Sequence, residues 1–355
     1  MATIANYWAE KDNSVTLITL GPQSTDFYQL HPKVKRVALN LARVSHNPFS
    51  AMLNNLRRLK RLRGEIRRDS PDVVLSFMDT TNVLTLAATF GLRIPVIVSE
   101  HIDPRQHRIS RVWESLRRLM YPYAKTVVVL TEELRGWARS FNAGEDAVCV
   151  IPNPVNDLSC HSDDGSDQLF SMRGQWAVGI GRLVPQKGFD LLLRAFAQCA
   201  ARVPDWSLVI LGDGEEREPL KELAAELGIA PRVSLPGRVQ QPLAILKRAD
   251  LFVLSSRYEG FPMVLLEAMV CGLPVISFDC PTGPREIIRN GIDGVLIEPN
   301  DVNALAVAME RLMSDEEART RLRRRAVEVT ERFSLERVMG LWDGLLHQVI
   351  GKTSA

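Results

Sequence analysis

The 355-residue sequence has no uninterrupted apolar stretch of the ~18–20 residues that a membrane-spanning helix needs. Its first residues lack the basic-then-apolar pattern of a secretory signal. A cytoplasmic chain is therefore expected, with any membrane attachment peripheral, on the cytoplasmic face. Cysteine is sparse: Cys149, Cys160, Cys199, Cys271 and Cys280 are scattered, odd in number and without a CxxC pair. That pattern suggests neither a zinc site nor a disulfide framework, and the five read as reduced packing residues. No short-period repeat is visible, which argues against a solenoid.

An excess of either charge is also nearly absent overall, with 44 Lys and Arg against 42 Asp and Glu for a net +2. The halves differ: residues 1–155 hold 21 basic against 14 acidic residues, a balance of about +7, and the remainder 23 against 28, about −5. An anionic partner is expected for the first half, a membrane surface or a phosphorylated acceptor before nucleic acid. With 46% hydrophobic and 24% charged residues the chain is globular, and its length suits two α/β domains.

Apolar runs that read as buried parallel strands alternate with amphipathic stretches. In the first half they are Val15–Leu20, Val73–Phe77, Val96–Ser99, Thr126–Leu130 and Ala147–Ile151. A second series comprises Gln175–Ile180, Ser207–Leu211, Arg232–Leu235, Leu251–Leu254, Val275–Phe278 and Gly294–Ile297. This alternation predicts two doubly wound sheets. The polar stretch Ser159–Gln168 reads as the linker, with Asp163, Asp164 and Asp167 solvated rather than metal-binding. The predicted domains are 1–157 and 170–330. In the closing segment, 331–355, Phe333, Leu335, Val338, Met339, Leu341 and Leu345 recur at helical spacing, which suits a helix packing across the domain boundary.

The strongest chemical signal is Ser255-Ser-Arg-Tyr-Glu-Gly-Phe-Pro-Met-Val-Leu-Leu-Glu267, between a strand and a helical run. It carries two carboxylates eight residues apart, and the turn of Gly260, Phe261, Pro262 and Met263 opens a helix whose free N–H groups can face phosphate oxygens. Glu267 lies within the apolar run 263–270, where an unpaired carboxylate is costly, so a ligand partner is expected. A second signal is Gly179-Ile-Gly-Arg-Leu-Val-Pro-Gln-Lys-Gly188, where Arg182 and Lys187 stand on one glycine-rich loop. A guanidinium and an ammonium together can neutralise a departing diphosphate. The loop is neither a GxGxxG nor a Walker sequence, and taken alone it reads equally well as a tight turn with two solvated cations.

Together these segments, with Leu211-Gly-Asp-Gly214, Leu235-Pro-Gly-Arg-Val239 and Gly272-Leu-Pro-Val275, resemble the family 4 retaining glycosyltransferases over nearly the whole chain. The resemblance implies an α/β GT-B fold: two Rossmann-like doubly wound domains with an interdomain cleft. It also implies a nucleotide-diphosphate sugar as co-substrate with no metal or other cofactor. In that family the positions matching Gly181, Arg182 and Lys187 hold the diphosphate, and Glu267 holds the ribose. Glu259, with Gly260 and the Phe261–Met263 backbone, contacts the transferred sugar, and the backbone near Gly237 and Val239 lies against the base. His101, in Val98-Ser-Glu-His-Ile-Asp103, would face the donor sugar.

The segments Ser99–Asp103 and Ser277–Glu286 further resemble bacterial enzymes that add N-acetylgalactosamine or related hexoses to polyprenyl-diphosphate-linked glycans. UDP is the expected nucleotide. Two competing readings are a sugar-nucleotide epimerase of the same fold and a non-catalytic membrane-associated protein that retains only donor binding. In the family a first strand and glycine-rich loop precede the helix that here begins at Met1, so the first domain is expected to lack its first strand.

Two basic amphipathic stretches match the positive half. Leu53–Arg68 sets Arg57, Arg58, Lys60, Arg61, Arg63, Arg67 and Arg68 around Leu53, Leu56, Leu59, Leu62 and Ile66. Arg105–Met120 sets Ile109, Val112, Trp113, Leu116 and Met120 on one helical face, and Arg108, Arg111 and Arg118 on another. Such faces suit an anionic membrane or a lipid-diphosphate acceptor.

Overall fold

The computed structural model describes all residues except 27, 43–46, 108, 142–143, 145–146, 156–173, 240 and 352–355. The predicted linker, its aspartates, Cys160 and Arg108 thus lie outside the described residues. The chain divides into two compact units, Met1–Ile151 with Met339–Ala355, and Pro152–Val338.

In the first unit, β1 (Thr16–Thr19) and β2 (Lys35–Ala38) form a parallel pair, separate from a four-stranded parallel sheet. The larger sheet runs β3 (Val74–Phe77), β4 (Val96–Ser99), β5 (Thr126–Val129), β6 (Val148–Val150) in that order. Every residue of β4 and β5 is buried, as parallel strands covered on both faces require. β2 was not evident from the sequence because Lys35 and Arg36 interrupt its apolar pattern. The structure neutralises both, Lys35 against Asp69 and Arg36 bidentate to Asp26 at 2.8 Å.

The helix Pro48–Asp69 is started by an Asn47 cap that accepts from the Ser50 N–H at 2.7 Å. Its Leu62 and Ile66 are buried, with Leu59 packed against them. Leu53 and Leu56, predicted to share that apolar face, are instead exposed beside Phe49 and Met52. The predicted helix from Arg105 begins at Arg111 under a Ser110 cap, because Arg105 is held in a bidentate pair with Asp103. That start sets a register in which Trp113, Leu116 and Met120 face the core, while Val112 is 67% exposed. Arg117 takes an inward position and is buried.

The second unit carries a six-stranded parallel sheet of order β12-β11-β10-β7-β8-β9. Its strands are β7 (Gln175–Ile180), β8 (Trp206–Leu211), β9 (Val233–Gly237), β10 (Leu251–Leu254), β11 (Val275–Phe278) and β12 (Val295–Ile297). Strand order reverses at β7, the position where doubly wound sheets place ligands at their carboxyl edges. The helices Phe189–Ala200 and Val302–Ser314 build the main core against β7, β8, β10 and β11 through Leu192, Leu193, Phe196, Leu305 and Met309. Asp301 caps the second of these helices through the Ala304 N–H at 2.8 Å.

The closing segment breaks at Ser334, between helices Val329–Phe333 and Leu335–Gly351. Leu341, predicted to face inward, is 46% exposed, and Trp342 takes that role at 2%. Among the described residues no helix is long and apolar enough to cross a membrane.

Candidate active site in the C-terminal unit

Five adjacent strands of the larger sheet end in loops that pack backbone against backbone, and glycine makes that possible. Gly212, with φ +143°, leaves no room for a Cβ against the Gly181 carbonyl oxygen, and its N–H donates to the Gly237 carbonyl at 2.9 Å. The ends of β7, β8 and β9 therefore meet at three glycines. Arg217 lies over Gly237, where a Cβ would stand 2.7 Å from its Nη1, and donates to the Leu235 carbonyl at 3.0 Å.

The loop after β7 is zipped onto the loop after β10. Arg257 N–H donates to the Gln186 carbonyl at 2.8 Å, Gln186 Nε2 to the Tyr258 carbonyl at 3.0 Å, and Ser255 Oγ to the Lys187 carbonyl at 3.0 Å. A bidentate pair of Arg257 with Asp190, at 2.9 and 2.8 Å, locks the rim. At the centre Lys187 Nζ donates to Glu259 Oε1 at 2.7 Å, with the side chains only 15% and 8% exposed. Ser256 Oγ donates to the same carboxylate oxygen at 2.6 Å, and Thr282, from the loop after β11, donates its hydroxyl to the Glu259 carbonyl. The Lys187 stem crosses Gly181, whose Cα face lies 3.2–3.3 Å from three of its carbons when a Cβ is placed there. A side chain at 181 would press on that stem, which would have to give by a few tenths of an ångström.

The structure thus brings together Gly181, Lys187 and Glu259 of the predicted site. Gly260, Phe261 and Pro262 are buried in the following turn, with Phe261 edge-on to Phe333 at 5.5 Å. Pro262 caps the helix Met263–Val270, and Gly283, at φ +97°, packs where a Cβ would come within 2.6 Å of its ring. Glu267 is half-buried in that helix, and burial pushes its carboxyl up to about 7. No hydrogen bond or ion pair with the described residues reaches this carboxylate. Arg182 is exposed, and none of the described residues pairs with its guanidinium. Val239 is half-buried beyond the end of β9. Among the described residues no group of three or more His, Cys, Asp or Glu is placed to hold a metal.

Ser256, Thr282, Gln186 and the Arg257–Asp190 pair were not singled out from the sequence. Ser256 and Arg257 sit inside the strongest motif, so their adjacency to Glu259 was a usable signal. Thr282 and Gln186 act on backbone carbonyls of distant segments, which no local pattern reveals.

The other predicted residues belong to the N-terminal unit. His101 follows β4 with Nε2 3.1 Å from Ser99 Oγ, and burial first, with the charge of the Met1 amino group second, lowers its pKa to about 4, which favours a neutral imidazole at physiological pH. Beside it lies a buried polar group absent from the sequence reading. Glu100 accepts from the Tyr121 hydroxyl, Arg117 stands 3.9 Å from both Glu100 and Asp79, and burial raises the Glu100 carboxyl to about 7. Arg57, Arg61 and Arg111 are exposed, and Arg118 is exposed and pairs with Glu114 at 3.3 Å.

Gly188, at φ +61°, marks where the two loops touch, and a Cβ there would overlap the Ser255 carbonyl oxygen. Gly291, at φ +76°, has open space around it. Gly291→Ala is expected to cost only the left-handed backbone penalty of about 1–2 kcal/mol. Gly188→Ala is expected to cost clearly more, read as the larger fall in thermal melting temperature. Equal losses for the two variants would mean that the loops tolerate separation.

The family model for glycosyl transferases group 1 matches residues 168–329, and that for glycosyltransferase family 4 matches 1–157. The chain is 29% identical, over 98% of its length and 94% of the relative's, to a Campylobacter jejuni protein named for α-1,4-N-acetyl-D-galactosaminyl transfer to an undecaprenol-diphosphate-linked oligosaccharide. It is 34% identical over 81% of its length to an exopolysaccharide phosphotransferase of Streptomyces coelicolor, of which it spans only 30%. An Anabaena protein solved with UDP and glucose superposes with a TM-score of 0.79 at 20% identity, over 97% of this chain and 94% of that one. Two matched families that between them account for both units, parallel doubly wound sheets and a GT-B likeness over nearly the full length lead to one conclusion: the chain belongs to the family 4 glycosyltransferases.

Proposed function

We propose that this glycosyltransferase moves a hexose or N-acetylhexosamine from a nucleoside-diphosphate sugar, with UDP as the nucleotide, to a lipid-diphosphate-linked glycan. The product would enter cell-surface polysaccharide or glycoprotein glycan assembly. The observation that carries the proposal is the Lys187–Glu259 pair where the loops after β7 and β10 meet. Lys187 keeps ammonium hydrogens beyond the one given to Glu259, and with Arg182 it supplies the positive charge that a leaving diphosphate requires. Glu259, held by Ser256 and Lys187, is assigned to the transferred sugar together with the Phe261–Met263 backbone.

Glu267 is assigned to the ribose. Burial favours its protonated form, and two ribose hydroxyls donating to it would favour the carboxylate instead. The glycine junction of Gly181, Gly212 and Gly237, with Val239 beyond it, is assigned to the diphosphate and base, and His101 to the donor sugar. Transfer is proposed to proceed with retention and without metal. The bond from the anomeric carbon to the diphosphate oxygen breaks, the bond to the acceptor oxygen forms on the same face, and the acceptor proton passes to the diphosphate. Lys187→Ala and Arg182→Ala are each expected to lower turnover by roughly ten- to a thousandfold; Arg182, exposed, is lost without effect on melting, whereas Lys187→Ala strips the buried Glu259 of its partner and also lowers the melting temperature. Near-normal turnover in both would remove the diphosphate assignment.

An anionic membrane surface is proposed as the partner of the N-terminal unit. In helix Pro48–Asp69, Phe49, Met52, Leu53 and Leu56 are 70, 55, 40 and 53% exposed, and Arg57, Lys60 and Arg61 follow on the adjoining turns. The second basic helix adds Arg111 and Arg118; Arg108, of the same predicted set, lies outside the described residues. An apolar stripe beside exposed cations fits the headgroup–acyl boundary, and the cations equally suit a lipid-linked diphosphate acceptor. Sedimentation with phosphatidylglycerol vesicles is expected to capture the protein, with capture falling when Phe49 and Leu56 become Ser and again when Arg57 and Arg61 become Gln. Capture that none of these changes alters would dismiss this helix as the docking face.

A further inference from the structure

His101 stands at the carboxyl edge of the N-terminal sheet with side chains of two strands against it and a buried ring of the C-terminal helix behind one of them. Phe77, the last residue of β3, pairs in register with Ser99, the last of β4. Its ring lies 5.2 Å from the His101 ring, tilted at 50°. Trp342, buried in helix Leu335–Gly351, lies 6.3 Å from Phe77, tilted at 48°. Trp342 is met edge-on at 6.4 Å by Trp8, whose indole N–H donates to Asp343 Oδ1 at 2.7 Å. A column of rings therefore runs from helix Ala2–Glu10 through the C-terminal helix to the imidazole. Ser99 Oγ, 3.1 Å from Nε2, occupies the other handle on that ring.

The consequence concerns orientation and tautomer. With Nε2 engaged by Ser99, Nδ1 is the nitrogen left for a ligand, and the hydrogen bond at one nitrogen decides which carries the proton. Rings packed in series fix χ angles that a solvated loop histidine would sample freely. A catalytic group misplaced by about 1 Å can cost on the order of a hundredfold in rate, so such packing affects turnover without touching substrate.

We propose that Ser99, Phe77 and Trp342 are positioning residues for His101, holding its ring in one orientation that presents Nδ1 to a hydroxyl of the donor sugar. This rests on the reading of His101 as a donor-sugar contact, and the test separates the two. The His101 ring signals, assigned by their loss in His101→Gln, are followed by nuclear magnetic resonance from pH 5 to 8 alongside kcat and donor KM. In the unaltered protein the ring should not titrate over that range. Phe77→Leu and Ser99→Ala should give a ring that titrates within it, with kcat lower by about tenfold or more and donor KM changed far less.

Ser99→Thr, which keeps the hydroxyl, should restore the original spectrum. Trp342→Phe, which keeps a ring in the buried place, should give a smaller shift in the same direction than Trp342→Leu, and it serves alone if the latter does not fold. A His101 ring unchanged in both Phe77→Leu and Ser99→Ala overturns the proposal. Wild-type kcat in His101→Gln overturns the catalytic reading of His101 instead, and the spectra then still decide whether these residues position it.

Discussion

A lysine and a glutamate that share a hydrogen bond almost out of solvent hold two loops of the C-terminal unit in place. Removing one partner of such a pair leaves the other charge buried and uncompensated, a loss of about 3–5 kcal/mol. Around Lys187 and Glu259 the Ser255, Gln186 and Arg257 contacts repeat the same join in smaller steps. In the function proposed above the pair also carries the chemistry, a cation and a carboxylate at one loop junction meeting the two unlike parts of one ligand, a diphosphate and a sugar.

The pair can form only because the backbones beneath it come unusually close. Gly188 and Gly212 sit where a side chain would collide with the backbone of a neighbouring loop, and Gly181 and Gly237 lie under the Lys187 and Arg217 side chains. Close backbone approach at the carboxyl edge of a parallel sheet leaves main-chain N–H groups near the ligand, with no side chains between. The N-terminal unit reaches a defined geometry by another route. It buries Glu100, the residue before His101, with Tyr121, Asn82 and Arg117 in one polar group, and packs the Phe77 ring against the imidazole itself.

Strands with continuous Val, Ile and Leu runs could be read directly from the sequence, because burial on both faces leaves no other composition available. β2 could not, since its charges are neutralised by Asp26 and Asp69 from other segments. Lys187, Glu259 and Glu267 were recognisable because they sit in compact motifs beside strand ends. The partners of Glu259 were only half visible: Ser256 lies three residues away, but Thr282 arrives from the next strand. Helical phase was the weakest reading. A register set by the Ser110 cap turned Arg117 inward and Val112 outward, and Trp342 replaced Leu341 on the buried face. On the helix Pro48–Asp69 the sequence placed Leu53, Leu56, Leu59, Leu62 and Ile66 on one face, and the structure divides them, Leu62 and Ile66 buried and Leu53 and Leu56 exposed, because periodicity does not distinguish a face that packs on protein from one left uncovered.

The central claim is that the Lys187–Glu259 junction receives a diphosphate. Isothermal titration of the full chain with UDP and with UMP tests it most directly, since the two ligands share base and ribose and differ by one phosphate. UDP should bind at least about tenfold more tightly than UMP, about 1.4 kcal/mol, and the gap should close in Lys187→Ala. Equal affinity for the two nucleotides in the unaltered protein would contradict the account.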